Sequence, residues 1–85
     1  RFLHETYITT GKRFSELSVQ AESMKDELQS LKSSGNIKTY NLRVPVYNAL
    51  VGRIKQNAGV HNYILNHQYD RTGTYDWVKD HIAGL

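Results

Sequence analysis

Apolar or tolerated side chains recur along the first third of the chain at Leu3, Tyr7, Thr10, Phe14, Leu17, Ala21, Met24, Leu28 and Leu31, in steps of four and three. That spacing is the a/d seam of a heptad helix, a coiled-coil pattern sustained for about four heptads. The residues between are Ser, Gln, Glu, Lys and Asp, as a solvated helix surface requires. Gly11 weakens the pattern by roughly 1 kcal/mol relative to Ala. The helix is therefore expected to begin properly after Thr10, capped by that residue, with residues 1–9 as a looser arm. Ser33-Ser34-Gly35-Asn36 is the stop signal, and Gly35 suits the left-handed cap conformation. A two-in-seven stripe is narrower than the apolar face of a globular helix, so it asks for a partner helix. Phe14, Leu17, Ala21, Met24, Leu28 and Leu31 are the expected oligomer seam, in a homodimer or higher assembly or against a protein partner. The rival is a helix folding back onto residues 46–85 of its own chain.

After the stop the period changes. In Ile37–Val44, Tyr40, Leu42 and Val44 alternate with Thr39, Asn41 and Arg43, which is the side-chain period of a strand. Tyr, Thr, Ile and Val suit a strand, and Pro45 cannot donate a ladder hydrogen bond, so it ends one and opens a helix. Val46, Tyr47, Leu50, Val51, Ile54 and Ala58 then form one amphipathic face. Asn57-Ala58-Gly59 is a second stop, and Val60, Tyr63 and Ile64 mark a short second helix. A single strand exposes unpaired backbone along both edges. Its expected partner is the same strand of another copy, in an antiparallel ribbon that turns Thr39, Asn41 and Arg43 outward. Those types read base edges: Asn bonds adenine, Arg bonds guanine, and Thr meets a base edge or a thymine methyl.

Asp70-Arg71-Thr72-Gly73-Thr74 is turn chemistry. A third helix should follow, capped by Thr74, with Asp76 in its first turn and Tyr75, Val78, Ile82 and Leu85 on its apolar stripe. Trp77 widens that stripe. The expected fold class is mainly α: a heptad helix over residues 1–34, a strand-helix-helix unit over 35–69 pairing as an intersubunit ribbon, and a packing helix over 70–85.

Charge sharpens this division. The net charge of +3 decides little, but residues 1–34 sum to zero, residues 35–60 to +4 and residues 61–85 to −1. No Asp or Glu lies between Glu27 and Asp70. Contact with a polyanion is the direct reason for so long an acid-free stretch. Lys38, Arg53 and Lys55 are the expected phosphate contacts.

Thr39-Tyr40-Asn41-Leu42-Arg43-Val44-Pro45 resembles the strand of the ribbon-helix-helix repressors, especially that of the Arc repressor. In that family polar and basic residues alternate with apolar ones and a proline opens the first helix. The resemblance implies base contacts from Thr39, Asn41 and Arg43. It also implies a phosphate held by the backbone amides that open the second helix, here Gly59, Val60 and His61. It covers residues 37–69. The usual Gly-x-Ser turn is replaced by Gly59-Val60-His61, and a long heptad helix precedes the unit.

Other chemistry is excluded or unsupported. The chain has no cysteine, hence no disulfide, thiolate zinc site or cysteine nucleophile. No apolar run is long enough to span a bilayer. His61 and His67 are six residues apart, which is not a ligand spacing, and no catalytic or nucleotide-binding motif occurs. No metal, cofactor or enzymatic activity is expected in a chain of 85 residues with so little polar convergence. Arg1 in place of an initiator Met suggests a processed product or an excised fragment. The expected function is a homodimeric, sequence-specific binder of double-stranded DNA, a repressor or a plasmid or phage accessory factor, in a bacterial or viral cytoplasm. The alternative is a coiled-coil structural or oligomerisation module of a larger viral or phage assembly.

Overall fold

A computed structural model describes residues 1–83 and contains three helices: α1 (Phe2–Ser33), α2 (Ile37–Asn66) and α3 (Arg71–His81). Two long helices joined by three residues form an antiparallel αα-hairpin. The short α3 packs at its open end, and the molecule measures 53 × 18 × 16 Å.

The hairpin turn is set where the stop signal predicts. Gly35 has φ 78°, the one left-handed residue among those described. Its amide donates to the Lys32 carbonyl at 3.2 Å, and the Asn36 amide donates to Leu31 at 2.9 Å. Those two bonds are a Schellman motif, which satisfies carbonyls that the end of α1 would otherwise leave open.

The α1 seam is buried within the chain. Leu17 and Ala21 pack with Leu50, with Met24, Tyr47 and Ile54 against them. Leu28 is also buried, while Phe14 remains 40% exposed. The expected oligomer seam is thus occupied by α2, apart from Phe14, and the fold-back arrangement is the one found. A second cluster, Val60, Ile64 and Val78 with Phe2, Leu3, Tyr7, Trp77 and Ile82, fixes α3 to the hairpin. Between the clusters lies a polar layer of Thr10, Asn57 and His61. The His61 Nδ1–H donates to the Tyr7 carbonyl at 2.9 Å, and its ring stacks on Tyr7 at 4.1 Å. Gly11 permits this approach, since a Cβ there would sit 3.1 Å from the His61 ring. The helix runs unbroken through Gly11, so residues 2–9 are helical rather than an arm.

The main correction concerns residues 37–44. They are helical, and no strand occurs among the described residues, so the strand-helix-helix ribbon does not form. The physical reason lies in an overlap of periods. Tyr40 and Val44 are four apart, which suits a strand face and a helix face equally. Only Leu42 distinguishes the two, and it is 68% exposed, as the helix requires. Tyr47, Leu50 and Ile54 extend the helical spacing through Pro45. A helix also satisfies its own backbone, whereas an isolated strand cannot. Pro45 lies inside α2, so the Asn41 carbonyl has no amide donor four residues on. Both residues are exposed, where water can take the missing donor's place.

Gly59 likewise does not stop the helix, which continues to Asn66. At α3 the cap is Asp70, whose Oδ1 accepts from the Gly73 amide at 3.0 Å, instead of the expected Thr74. Thr74 is buried, and its hydroxyl donates to the His67 carbonyl at 2.7 Å, bracing the α2–α3 elbow. Val78 is fully buried and Ile82 half-buried, but Tyr75 is largely exposed, its ring edge-on to Phe2 at 5.1 Å. Leu85, the last expected stripe residue, lies outside the described residues. Trp77 widens the apolar face as expected, stacking on Tyr63 at 3.8 Å and 3° between planes.

Candidate nucleic-acid interface

Most of the acid-free stretch between Glu27 and Asp70 falls in a single helix. The 30 residues of α2 contain Lys38, Arg43, Arg53 and Lys55 and no acidic residue. On α1, by contrast, Lys12, Arg13, Lys25 and Lys32 are outweighed by Glu5, Glu16, Glu22, Asp26 and Glu27. On α3, Arg71 and Lys79 balance Asp76 and Asp80. The positive charge of the molecule is thus concentrated on one helix, about 45 Å long at 1.5 Å per residue.

Helical geometry redistributes the expected base-contacting triplet. Thr39 and Arg43 are four apart and share a flank. Thr39 is half-buried, and Arg43 reaches Glu27 of α1 at 3.2 Å. Asn41 is turned away from both and exposed. The triplet therefore presents no common face. Asn41 instead begins a different line: Asn41, Pro45, Asn48, Gly52, Lys55, Gly59, Asn62 and Asn66, in steps of four and three, every one exposed. The sequence carries this second seam in plain view. It escapes a search for apolar periodicity because its members are amides, glycines, a proline and a lysine.

The expected phosphate contacts fall in two groups. Lys38, Arg53 and Lys55 are exposed, and among the described residues none of them has a carboxylate within ion-pair distance. Lys38 and Arg53 lie within about 60° of each other around the helix, while Lys55 belongs to the exposed line itself. One cation thus lies on the amide line and two lie to one side of it. Gly59, Val60 and His61 do not form an anion site. Their amides lie in the interior of α2, where the helix ladder uses them, so no free helix start exists there. Val60 is buried in the α3 cluster, and His61 is bonded to Tyr7.

Gly52 and Gly59 have an unexpected property. A Cβ at either would meet nothing within 4 Å. Internal packing therefore does not require them, although each costs about 1 kcal/mol relative to Ala in a helix interior. Their effect is to flatten the outer face of α2, so that another surface can approach the helix backbone closely.

No helix among the described residues is long and apolar enough to cross a membrane. No family model matches the chain, and neither a curated protein nor a solved structure matches it.

Proposed function

We propose that the chain binds double-stranded DNA along the outer face of α2. The observation that carries this reading is a 30-residue helix with no carboxylate and three unpaired cations, one on an exposed amide-rich line and two to one side of it. A helix of about 10–12 Å diameter fits the major groove of about 12 Å width. In that pose Asn41, Asn48 and Asn62 face base edges, where an amide can bond adenine bidentately. Lys38 and Arg53 beside the line, and the long side chain of Lys55 reaching out from it, meet phosphates, which position the helix and supply most of the affinity. This replaces the ribbon with a helix reader, and only Asn41 of the expected triplet remains at the base edges. Arg43 instead ties α2 to α1 through Glu27. The structural-module reading has less support, because the seam on which it depends is filled by α2.

Fluorescence anisotropy with a mixed-sequence duplex at several salt concentrations tests the proposal. Three phosphate contacts give a slope of log affinity against log salt of about −2.7 per chain. The double change Arg53→Gln and Lys55→Gln should reduce it to about −0.9, with helical content unchanged. Absence of binding at low salt, or a slope indifferent to the double change, rejects the proposal.

A further inference from the structure

At the open end of the hairpin, away from the midpoint of α2, three elements line an open-mouthed cavity of about 400 Å³. The first turns of α1 contribute Arg1, Leu3, His4 and Tyr7. The end of α2 contributes Ile64 and Leu65, and the elbow and start of α3 contribute His67, Gln68, Arg71 and Thr74. This volume lies within the range of small-molecule sites, about 300–1,000 Å³. The lining has a simple chemical division. Leu3, Tyr7, Ile64 and Leu65 form an apolar wall. Arg1 and Arg71 bring guanidinium donors, His4 and His67 bring imidazole rings, and no carboxylate lines the cavity.

Its polar groups are oriented and available. Arg71 has no ion-pair partner among the described residues. Arg1 spends only Nε on Glu5, at 3.3 Å and well exposed, which leaves its terminal nitrogens uncommitted. The His67 ring is fixed from two sides. Its Nδ1–H donates to the Tyr63 carbonyl at 2.9 Å, and its face stacks on Tyr63 at 3.8 Å. In the neutral ring that assignment leaves Nε2 as an acceptor, so His67 shapes the cavity wall and does not donate into it. Tyr63 in turn stacks on Trp77, and Trp77 on His81, so the ring belongs to a continuous four-ring column binding α2 to α3. The Thr74 hydroxyl holds the elbow carbonyl of His67, fixing the back of the cavity.

We infer that this cavity binds a small organic anion, a phosphate-monoester or carboxylate head on an apolar, ring-sized body. The head sits between Arg71 and Arg1, whose guanidinium forks suit either oxyanion. The body lies on Leu3, Tyr7, Ile64 and Leu65. Both parts are needed: a bare inorganic anion gains nothing from the apolar wall, and a neutral ring leaves the cations unpaired.

Isothermal titration of the full chain with 1-naphthyl phosphate, 1-naphthoate, inorganic phosphate and 1-naphthol tests this. One or both naphthyl anions should bind at least tenfold more tightly than inorganic phosphate and than 1-naphthol, and the tighter of the two identifies the preferred head. Arg71→Gln should weaken that binding about tenfold, with helical content retained. Arg53→Gln combined with Lys55→Gln should leave it unchanged, which separates this site from the α2 face. No binding of either naphthyl anion at millimolar concentration overturns the inference. So does equal binding by the wild type and Arg71→Gln, or a loss caused by the α2 double change.

Discussion

Asn57 is the most exacting single position in the hairpin. It is 0% exposed and sits in the polar layer between the two apolar clusters. Its Nδ2 donates to the Arg53 carbonyl at 2.8 Å, but its Oδ1 has no protein partner. A buried acceptor without a donor costs about 1–3 kcal/mol, whereas an apolar side chain of similar size avoids that cost. Asn57→Leu should therefore raise the urea unfolding free energy by about 1 kcal/mol. A loss of stability of that size would mean that Oδ1 is satisfied in solution. The same layer shows the limit of reading single residues from sequence. Gly11 looks like a defect in a heptad seam, and Thr10 and Asn57 look like poor core choices or helix ends. Each becomes intelligible only when α2 lies on α1 and His61 occupies the space a side chain at position 11 would need.

Among the elements, α1 was legible in its seam and its stop but not in its start, which lies at Phe2 and not after Thr10, and α2 was not legible. The steps of four and three from Leu3 to Leu31 and the Gly35 stop appear in the structure nearly as the sequence places them. Residues 37–44 misled because the strand and helix periods coincide at Tyr40 and Val44, and because Pro45 usually marks a boundary. The helix absorbs the proline since its 30 residues bury Leu50, Val60 and Ile64 against α1 and α3. That tertiary gain outweighs a local penalty of about 3 kcal/mol. Pro45→Ala restores the amide donor to Asn41 on an exposed surface. It should raise the thermal or urea stability by about 1–3 kcal/mol without changing the fold. A neutral or destabilising result would show that the proline is favoured by its surroundings in α2. The outer line from Asn41 to Asn66 was hidden for a different reason. Its residues are defined by being small or polar, and only the helix shows that they share a face.

As a whole, the molecule is a long hairpin with unequal sides. Its interior is two modest clusters joined by a polar layer, and α3 is fastened by stacked rings more than by bulk burial. Net charge alone said little of partners. Its distribution became informative once most of the acid-free stretch proved to be one helix with an exposed amide line and three unpaired cations. The proposed DNA face and the proposed anion cavity use different residues, so each can fail without the other.

Chemical-shift mapping of the uniformly ¹⁵N-labelled chain against a mixed-sequence DNA duplex locates the binding surface directly. If α2 is the reading helix, the amides of Asn41, Asn48, Lys55 and Asn62 shift on titration, while those of Ser15, Val19 and Glu22 on the exposed side of α1 stay in place. Shifts centred on α1, or none at low salt, would contradict a DNA-binding role for the outer face of α2.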